Sequence, residues 1–160
     1  MRSVYTHAFS VPESAIDLNG HVSNIEYVRW MQDAATAHTA SEGWTLERYR
    51  ENRAVWVVRT HTIDYLRPAF AGDRLELHTW IASVRDCQSR RKYLFSRAGD
   101  DTLTTMASSP DLLARAETLW ICVDPETGRP RRVPDSFVRA FELVPEETDA
   151  LRILGASPDA

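Results

Sequence analysis

The clearest pattern in the chain is a helix-spaced run of apolar and small residues that begins just after a polar stretch near the N-terminus. The members of this run are Ile25, Val28, Met31, Ala34 or Ala35, and His38. They recur every three or four positions, which is the spacing of one helix face. Ser23 or Asn24 is suited to cap the start, and Gly43 is suited to end the helix. The pattern predicts an amphipathic helix over residues 23–41.

Segments with the composition and alternation of β-strands lie on both sides of this helix. They cover residues 3–11, 53–66, 73–85, 87–98 and 112–123, and no second long helix interrupts the last four. Strands that are joined by short turns are antiparallel neighbours. The sequence therefore predicts an α+β domain in which one antiparallel sheet is covered on one face by the long helix.

The connecting segments differ in length and composition. Residues 99–111 are long for a hairpin loop, which usually has about 2–5 residues, so we expect either a flap or an extension of the strands. Residues 124–130 have the composition of a tight turn, and a short helix is predicted to start at 134–137. The acidic segment after Glu146 is expected to be frayed.

Length, charge and cysteine content limit the class of protein. The 160 residues predict one domain over 1–146, followed by a flexible acidic tail over 147–160. A net charge of −4 argues against nucleic-acid binding, and no segment is apolar enough for a membrane span or signal peptide, so we expect a cytoplasmic protein. Cys87 and Cys122 lack metal-ligand spacing, which predicts buried thiols and no metal site.

The polar stretch ahead of the helix carries the candidate chemistry. Asp17, Asn19 and His21 place a carboxylate, a carboxamide and an imidazole at alternate positions. The first amides of a helix lack intrahelical partners and lie at the positive end of the dipole, so an oxyanion would be stabilised there. Asp17 would supply or activate a nucleophile. The alternative is an ordinary Asx turn before a helix.

Three segments together resemble one branch of a known family. They are 17–27 (D-x-N-G-H-V-x-N-x-x-Y), 63–73 (I-D-Y-L-R-P-A-x-x-G-D) and 127–130 (T-G-R-P) before Pro134. These motifs are similar to those of the 4-hydroxybenzoyl-CoA thioesterase-like and acyl-carrier-protein thioesterase branch of the hotdog proteins. The resemblance implies a single hotdog domain, with an antiparallel sheet wrapped around a long central helix. It also implies an acyl-CoA or acyl-ACP thioesterase that works as a homodimer or homotetramer, with active sites between subunits.

The resemblance also implies roles for individual residues. Asp17 matches the acidic residue that acts as nucleophile or general base, and Asn19 and His21 match the Asn and His of the plant acyl-ACP thioesterase motif. Where that plant subfamily has a Glu-Cys pair, this chain has Pro68 and Ala69. A mechanism based on Asp17 is therefore preferred to one based on cysteine.

Thioester hydrolysis needs a base or nucleophile and a place for negative charge on the carbonyl oxygen. Backbone amides at about 22–25 are the candidates for that place, and no cofactor is expected because coenzyme A is part of the substrate. The candidate substrate-binding residues are Ser23, Asn24 and Ile25 near the helix start, and Arg90, Arg91 and Arg131 for coenzyme A phosphates or an acidic carrier protein. Candidates for shaping an acyl pocket are Trp30, Trp44, Trp56 and Trp80.

Two other functions are compatible with parts of this pattern. One is a non-catalytic acyl-CoA-binding hotdog protein, against which the presence of Asp17, Asn19 and His21 together argues. The other is a hotdog enoyl-CoA hydratase, whose motif has five positions from Asp to His and a Pro between them. Here the interval is four positions and Gly20 replaces that Pro, so the hydratase ranks lower.

Overall fold

The structure, a computed structural model, describes residues 3–98 and 112–156 and places all five strands in one sheet. The strands are β1 (Val4–Ser10), β2 (Val55–Tyr65), β3 (Arg74–Arg85), β4 (Gln88–Arg97) and β5 (Leu112–Val123). Their order across the sheet is β1-β3-β4-β5-β2, and every neighbouring pair is antiparallel. The predicted α+β class and the five predicted strands are confirmed. The connection at 99–111 lies outside the described residues.

The predicted long helix is α1, which runs over Asn24–Ser41 and crosses the inward face of the sheet. Its buried side chains include Tyr27, Trp30, Met31 and Ala34. They pack against a set of inward-facing strand residues, Leu75, Leu77, Tyr93, Phe95 and Ala114. The chain leaves the helix through Gly43, whose φ of +84° is in the left-handed region that favours glycine.

Three further helices follow α1 in the part of the chain that the structure describes. Helix α2 (Leu46–Glu51) has only six residues and was not predicted; Thr45 caps it by accepting the Arg48 N–H at 3.4 Å. Helix α3 (Asp135–Arg139) matches the predicted short helix. Helix α4 covers Glu147–Ala156, where a frayed tail was expected. Among the helices of the described chain, none combines the length and the apolar character needed to cross a membrane.

Helix α4 covers the outer face of the sheet, which is apolar as well. Ala150 and Leu151 are buried against outward-facing Trp80 and Leu94, and Arg115 of β5 forms an ion pair with Glu147 at 2.8 Å. We expected a flexible segment from residue 147 because we assigned a covering helix to only one face of the sheet. The outward positions of β3 and β4 also carry large apolar residues that need burial.

The two edge strands of the sheet, β1 and β2, have different neighbours. Val4 of β1 belongs to the cluster that α4 forms, so this edge is flanked by a helix. At the opposite edge, β2 pairs only with β5 in the part of the chain that the structure describes, and its Val55 and Val57 are exposed. The outer side of β2 is therefore the open edge of the sheet.

The position of α4 predicts unequal effects for two apolar residues on that helix. Leu151→Ala removes a side chain that is 7% exposed, and we expect the free energy of unfolding in urea to fall by about 2 kcal/mol. Ile153→Ala, on a side chain that is 37% exposed, is the matched control and should change it by less than about 0.5 kcal/mol. Equal effects of the two substitutions would contradict the docking of α4 on the sheet.

Candidate active site

The candidate catalytic residues lie together in a tight loop that leads into α1. The loop is closed by an antiparallel bridge between Ile16 and Val22. Inside it, the Asp17 N–H donates to the His21 carbonyl at 3.0 Å, and the Gly20 N–H donates to the Asp17 carbonyl at 3.1 Å. Gly20 has a φ of +82°, which a residue with a Cβ adopts only under strain.

The Asp17 side chain takes part in the turn. Its Oδ1 accepts the Asn19 N–H at 2.8 Å, which is the hydrogen bond of an Asx turn. Asp17 is half-buried, so its carboxylate still reaches the surface. The Asx turn and a chemical role for Asp17 are therefore compatible, because the turn uses one carboxylate oxygen and holds the group in a fixed orientation.

Backbone hydrogen bonds fix this loop to the core of the domain. The Val22 N–H donates to the Ala69 carbonyl at 2.9 Å, and the Ser23 N–H donates to the Ala15 carbonyl at 2.9 Å. Val22, Ala15 and Ala69 are all buried. The loop thus keeps a constant position relative to the start of α1.

At the start of α1, two backbone N–H groups have no hydrogen-bond partner among the residues that the structure describes. Ser23 occupies the N-cap position, but its side chain makes no capping hydrogen bond within the described chain. The amides of Val22 and Ser23 are already engaged, and the Glu26 N–H donates to the Ser23 carbonyl at 3.0 Å. The predicted range of oxyanion donors at 22–25 therefore narrows to Asn24 and Ile25, the first two residues of the helix.

Asn19 and His21 are less constrained than Asp17. The Asn19 side chain is exposed, and the half-buried His21 has its Nδ1 3.4 Å from the Val22 carbonyl, which is a long contact. All three predicted catalytic residues thus lie in one loop at the N-terminal end of α1.

Exposed apolar side chains surround the loop. Leu18 is fully exposed and Ile25 is 70% exposed. Tyr65, at the end of β2, donates its hydroxyl to the Asn24 carbonyl at 2.9 Å, and Leu66 and Phe70 are exposed nearby in sequence. This rim has the character of a surface that is covered by a ligand or by another chain.

The three candidate arginines come from two separate predicted clusters, Arg90 and Arg91 from one and Arg131 from the other, and they differ in position and contacts. Arg90 lies on the outer face of β4 in an ion pair with Glu117, whereas Arg91 points inward and is buried. Arg131 donates to the Asn52 carbonyl at 2.7 Å and to the Arg53 carbonyl at 3.0 Å. The alternation of β4 thus places Arg90 and Arg91 of one predicted cluster on opposite faces, and Arg131 of the other cluster braces the backbone of residues 52 and 53.

A separate cavity of about 280 Å³ lies at the other end of α1, about 20 Å along the helix from Asn24. Trp44 and Trp56 line it, as the expectation of an acyl pocket allows. The other two candidates lie elsewhere: Trp30 is in the α1 core and Trp80 is on the outer face. Trp120 also lines the cavity, although it was not predicted to do so. It continues the inward alternation of Ala114, Ala116 and Thr118 along β5, and this alternation is the sequence signal that could have identified it.

The cysteines and the other metal-ligating side chains form no cluster within residues 3–98 and 112–156. Cys87 and Cys122 are free thiols, half-buried and buried respectively. Burial raises the pKa of the Cys122 thiol, so it is not poised as a nucleophile.

Comparison with known proteins supports the fold and the class of enzyme. The family model described as the Thioesterase-like superfamily matches residues 11–141. The chain is 31% identical over 126 residues to the acyl-CoA thioester hydrolase YbgC of Escherichia coli O6:H1, a match that covers 79% of this chain and 87% of the relative.

Solved structures with low sequence identity share the architecture. Slr0204, a 1,4-dihydroxy-2-naphthoyl-CoA thioesterase from Synechocystis, superposes with a TM-score of 0.72 and 22% identity, covering 86% of this chain and 94% of that chain. The BH1999 gentisyl-coenzyme A thioesterase gives a TM-score of 0.69 and 17% identity over 86% and 98% of the two chains. The predicted hotdog arrangement is confirmed.

Proposed function

Because the chain belongs to the Thioesterase-like superfamily and is a thioester hydrolase, we propose that Asp17 acts as general base or nucleophile in the hydrolysis of an acyl-CoA thioester. The same thioester on an acyl carrier protein would present the same reacting atoms. The observation that carries the proposal is the position of the Asp17 carboxylate, held by its own turn just ahead of the two free amides of α1.

The chemistry follows from this arrangement. Oδ1 of Asp17 is occupied by the Asn19 N–H, so we assign the reacting role to Oδ2. In the general-base route, Oδ2 takes a proton from water, the water oxygen bonds to the carbonyl carbon, and the C–S bond then breaks to release the thiolate. In the nucleophilic route, Oδ2 itself bonds to that carbon and the C–S bond breaks to release the thiolate. Water then hydrolyses the resulting mixed anhydride, which releases the acyl group as a carboxylic acid and restores the Asp17 carboxylate.

Negative charge on the carbonyl oxygen would be held by the N–H groups of Asn24 and Ile25. These donors belong to the first turn of an 18-residue helix, where the dipole favours negative charge. Asn19 and His21 would contact the substrate beside the reacting carbonyl, because their side chains extend from the same loop. Ser23 and Ile25 would contact the acyl or pantetheine chain at the helix start.

We further propose a homodimer formed along the open edge of β2. An unpaired strand edge is a template for pairing with another strand, and β2 offers eleven residues with exposed Val55 and Val57. In an antiparallel pairing about a two-fold axis near Thr60, Tyr65 of one copy would lie opposite the partner's Val55. The loop that precedes α1 in one copy, to which Tyr65 is joined through Asn24, would then face the cavity of the other.

Substitution of Asp17 tests the proposed base. Asp17→Asn keeps an acceptor for the Asn19 N–H but removes the negative charge, so we expect kcat/KM for acyl-CoA hydrolysis to fall by about 100-fold or more. Glu13→Gln, an exposed carboxylate in the preceding 3-10 turn, is the matched control and should leave the rate unchanged. Wild-type turnover in a folded Asp17→Asn enzyme would refute the role of Asp17.

An anionic residue at the N-cap tests the proposed oxyanion donors. In Ser23→Asp, the new carboxylate would accept the free amides of the first turn and raise the free energy of unfolding by about 0.5–1 kcal/mol. We expect activity to fall by about 100-fold, because the same amides are then occupied. Ser23→Ala, which adds no competing acceptor, should retain substantially more activity. A stabilised Ser23→Asp enzyme with full activity would exclude these amides as oxyanion donors.

The assembly is tested at the open edge of β2. We expect sedimentation to give twice the 18.2 kDa chain mass for the wild type. Thr60→Lys, at an exposed residue, places two like charges next to the two-fold axis and should yield monomers with reduced activity. Ile153→Lys, at an exposed apolar residue on α4, should remain dimeric. A wild-type protein that is monomeric and fully active at the assay concentration would contradict the proposed dimer.

A further inference from the structure

The cavity near the C-terminal half of α1 combines an apolar wall with one buried cation. It lies between α1, α2 and the inward faces of β2, β4 and β5, and its volume is about 280 Å³. Its aromatic lining residues are Trp44, Tyr49, Trp56, Trp120 and Phe137. The charged group in its lining is Arg91, which is 3% exposed.

Arg91 is held in place by two neutral acceptors. Its Nη1 donates to Thr79 Oγ1 at 3.2 Å and contacts His38 Nδ1 at 3.0 Å. Because a guanidinium group can only donate, His38 must accept through Nδ1 and carry its proton on Nε2. This orientation of His38 is supported by ring contacts with Tyr5 and Phe141, at centroid distances of 5.4 and 5.3 Å.

No carboxylate pairs with Arg91 within residues 3–98 and 112–156. The phenols that face it are Tyr49 and Tyr93, and burial raises the pKa of both above the ordinary tyrosine value, so both are neutral near pH 7. Burial also lowers the pKa of Arg91, which reflects the cost of a charge removed from water. A buried cation without a counter-ion is unfavourable unless an anion is supplied.

A second residue of the same lining, Trp44, carries a buried hydrogen-bond donor. Trp44 is 1% exposed, and its indole N–H has no hydrogen-bond partner among the described residues. Buried polar groups are normally hydrogen-bonded, and an exception is a reason to look for a missing ligand. Arg91 and Trp44 thus bring a buried charge without a counter-ion and a buried N–H without a partner to residues that line one apolar cavity.

We infer that this cavity binds an apolar ligand through a carboxylate group that pairs with Arg91. The aromatic walls would hold the apolar body, and the guanidinium group would hold the carboxylate where water is excluded. Two sources offer this chemistry: a carboxylate at the far end of the acyl group of a thioester, or a free carboxylic acid. Only the first source rests on the proposed function, and it needs the partner's Asp17 loop at the mouth of the cavity.

Direct binding tests the inference without any turnover. Trp44, Trp56 and Trp120 report on the cavity by fluorescence, so full-length protein can be titrated with octanoate and, as the uncharged comparison, with 1-octanol. We expect octanoate to bind about tenfold or more tightly than octanol to the wild type. Arg91→Met should abolish this preference, whereas Arg90→Met, on the outer face of the same strand, should keep it.

A second variant tests the cavity without removing the buried charge. Ala40→Trp, at an exposed position on the cavity rim, should weaken the binding of both octanoate and octanol. The inference is overturned if wild type shows no preference for octanoate, or if Arg91→Met and Ala40→Trp bind octanoate as wild type does.

Turnover then distinguishes the two sources. If the ligand is part of the substrate, wild type should hydrolyse suberyl-CoA about tenfold more efficiently than octanoyl-CoA, and Arg91→Met should lose that ratio. Equal turnover of both thioesters, together with Arg91-dependent octanoate binding, assigns the cavity to free carboxylic acids. Failure of the proposed thioesterase function would abolish both turnover signals but leave the binding result intact.

Discussion

The packing of one face of α1 against the inward face of the sheet fixes the positions of both candidate sites. Tyr27, Trp30 and Met31 close over Leu77 and Phe95, and this burial of large side chains sets the direction of the helix. Its first turn is thereby held beside the loop that carries Asp17. The last turns of α1 carry small side chains on one face, and there the helix does not fill the space in front of β4 and β5.

This difference along a single helix has a simple cause in residue size. The first half of α1 presents aromatic and sulfur-containing side chains to the sheet, whereas the second half presents Ala35, Thr36 and Ala40 toward the cavity. Small residues leave volume unfilled unless another element moves in. Helix α2 and Phe137 close that volume from the side without occupying it, so a cavity is a consequence of the sequence of α1.

The sequence was sufficient to predict the elements whose pattern is local. The 3.6-residue period gave α1 to within a residue or two, and the alternating segments gave all five strands. It was not sufficient for α4, because the need for that helix comes from Trp80 and Leu94 on the outer face, a tertiary requirement. It placed Asp17, Asn19 and His21 in one loop, but it could not show that the Val22 and Ser23 amides are already bonded. The sequence also grouped Arg90 with Arg91, which the pleat of β4 places on opposite faces.

The two ends of α1 offer opposite electrostatic environments, and one of the two proposed sites lies at each end. The amides of Asn24 and Ile25, which have no partner among the described residues, lie at the positive end of the helix dipole, where a developing oxyanion would be stabilised. Arg91 contacts His38 in the last turn, at the negative end, which offsets part of the cost of its burial. The helix dipole acts only over the terminal turn and carries about half a charge, so it cannot replace a full counter-ion. The remaining cost would make Arg91 selective. A neutral apolar ligand would fill the cavity but leave the charge unpaired, whereas an apolar ligand with a carboxylate would fill the cavity and also pair with the charge.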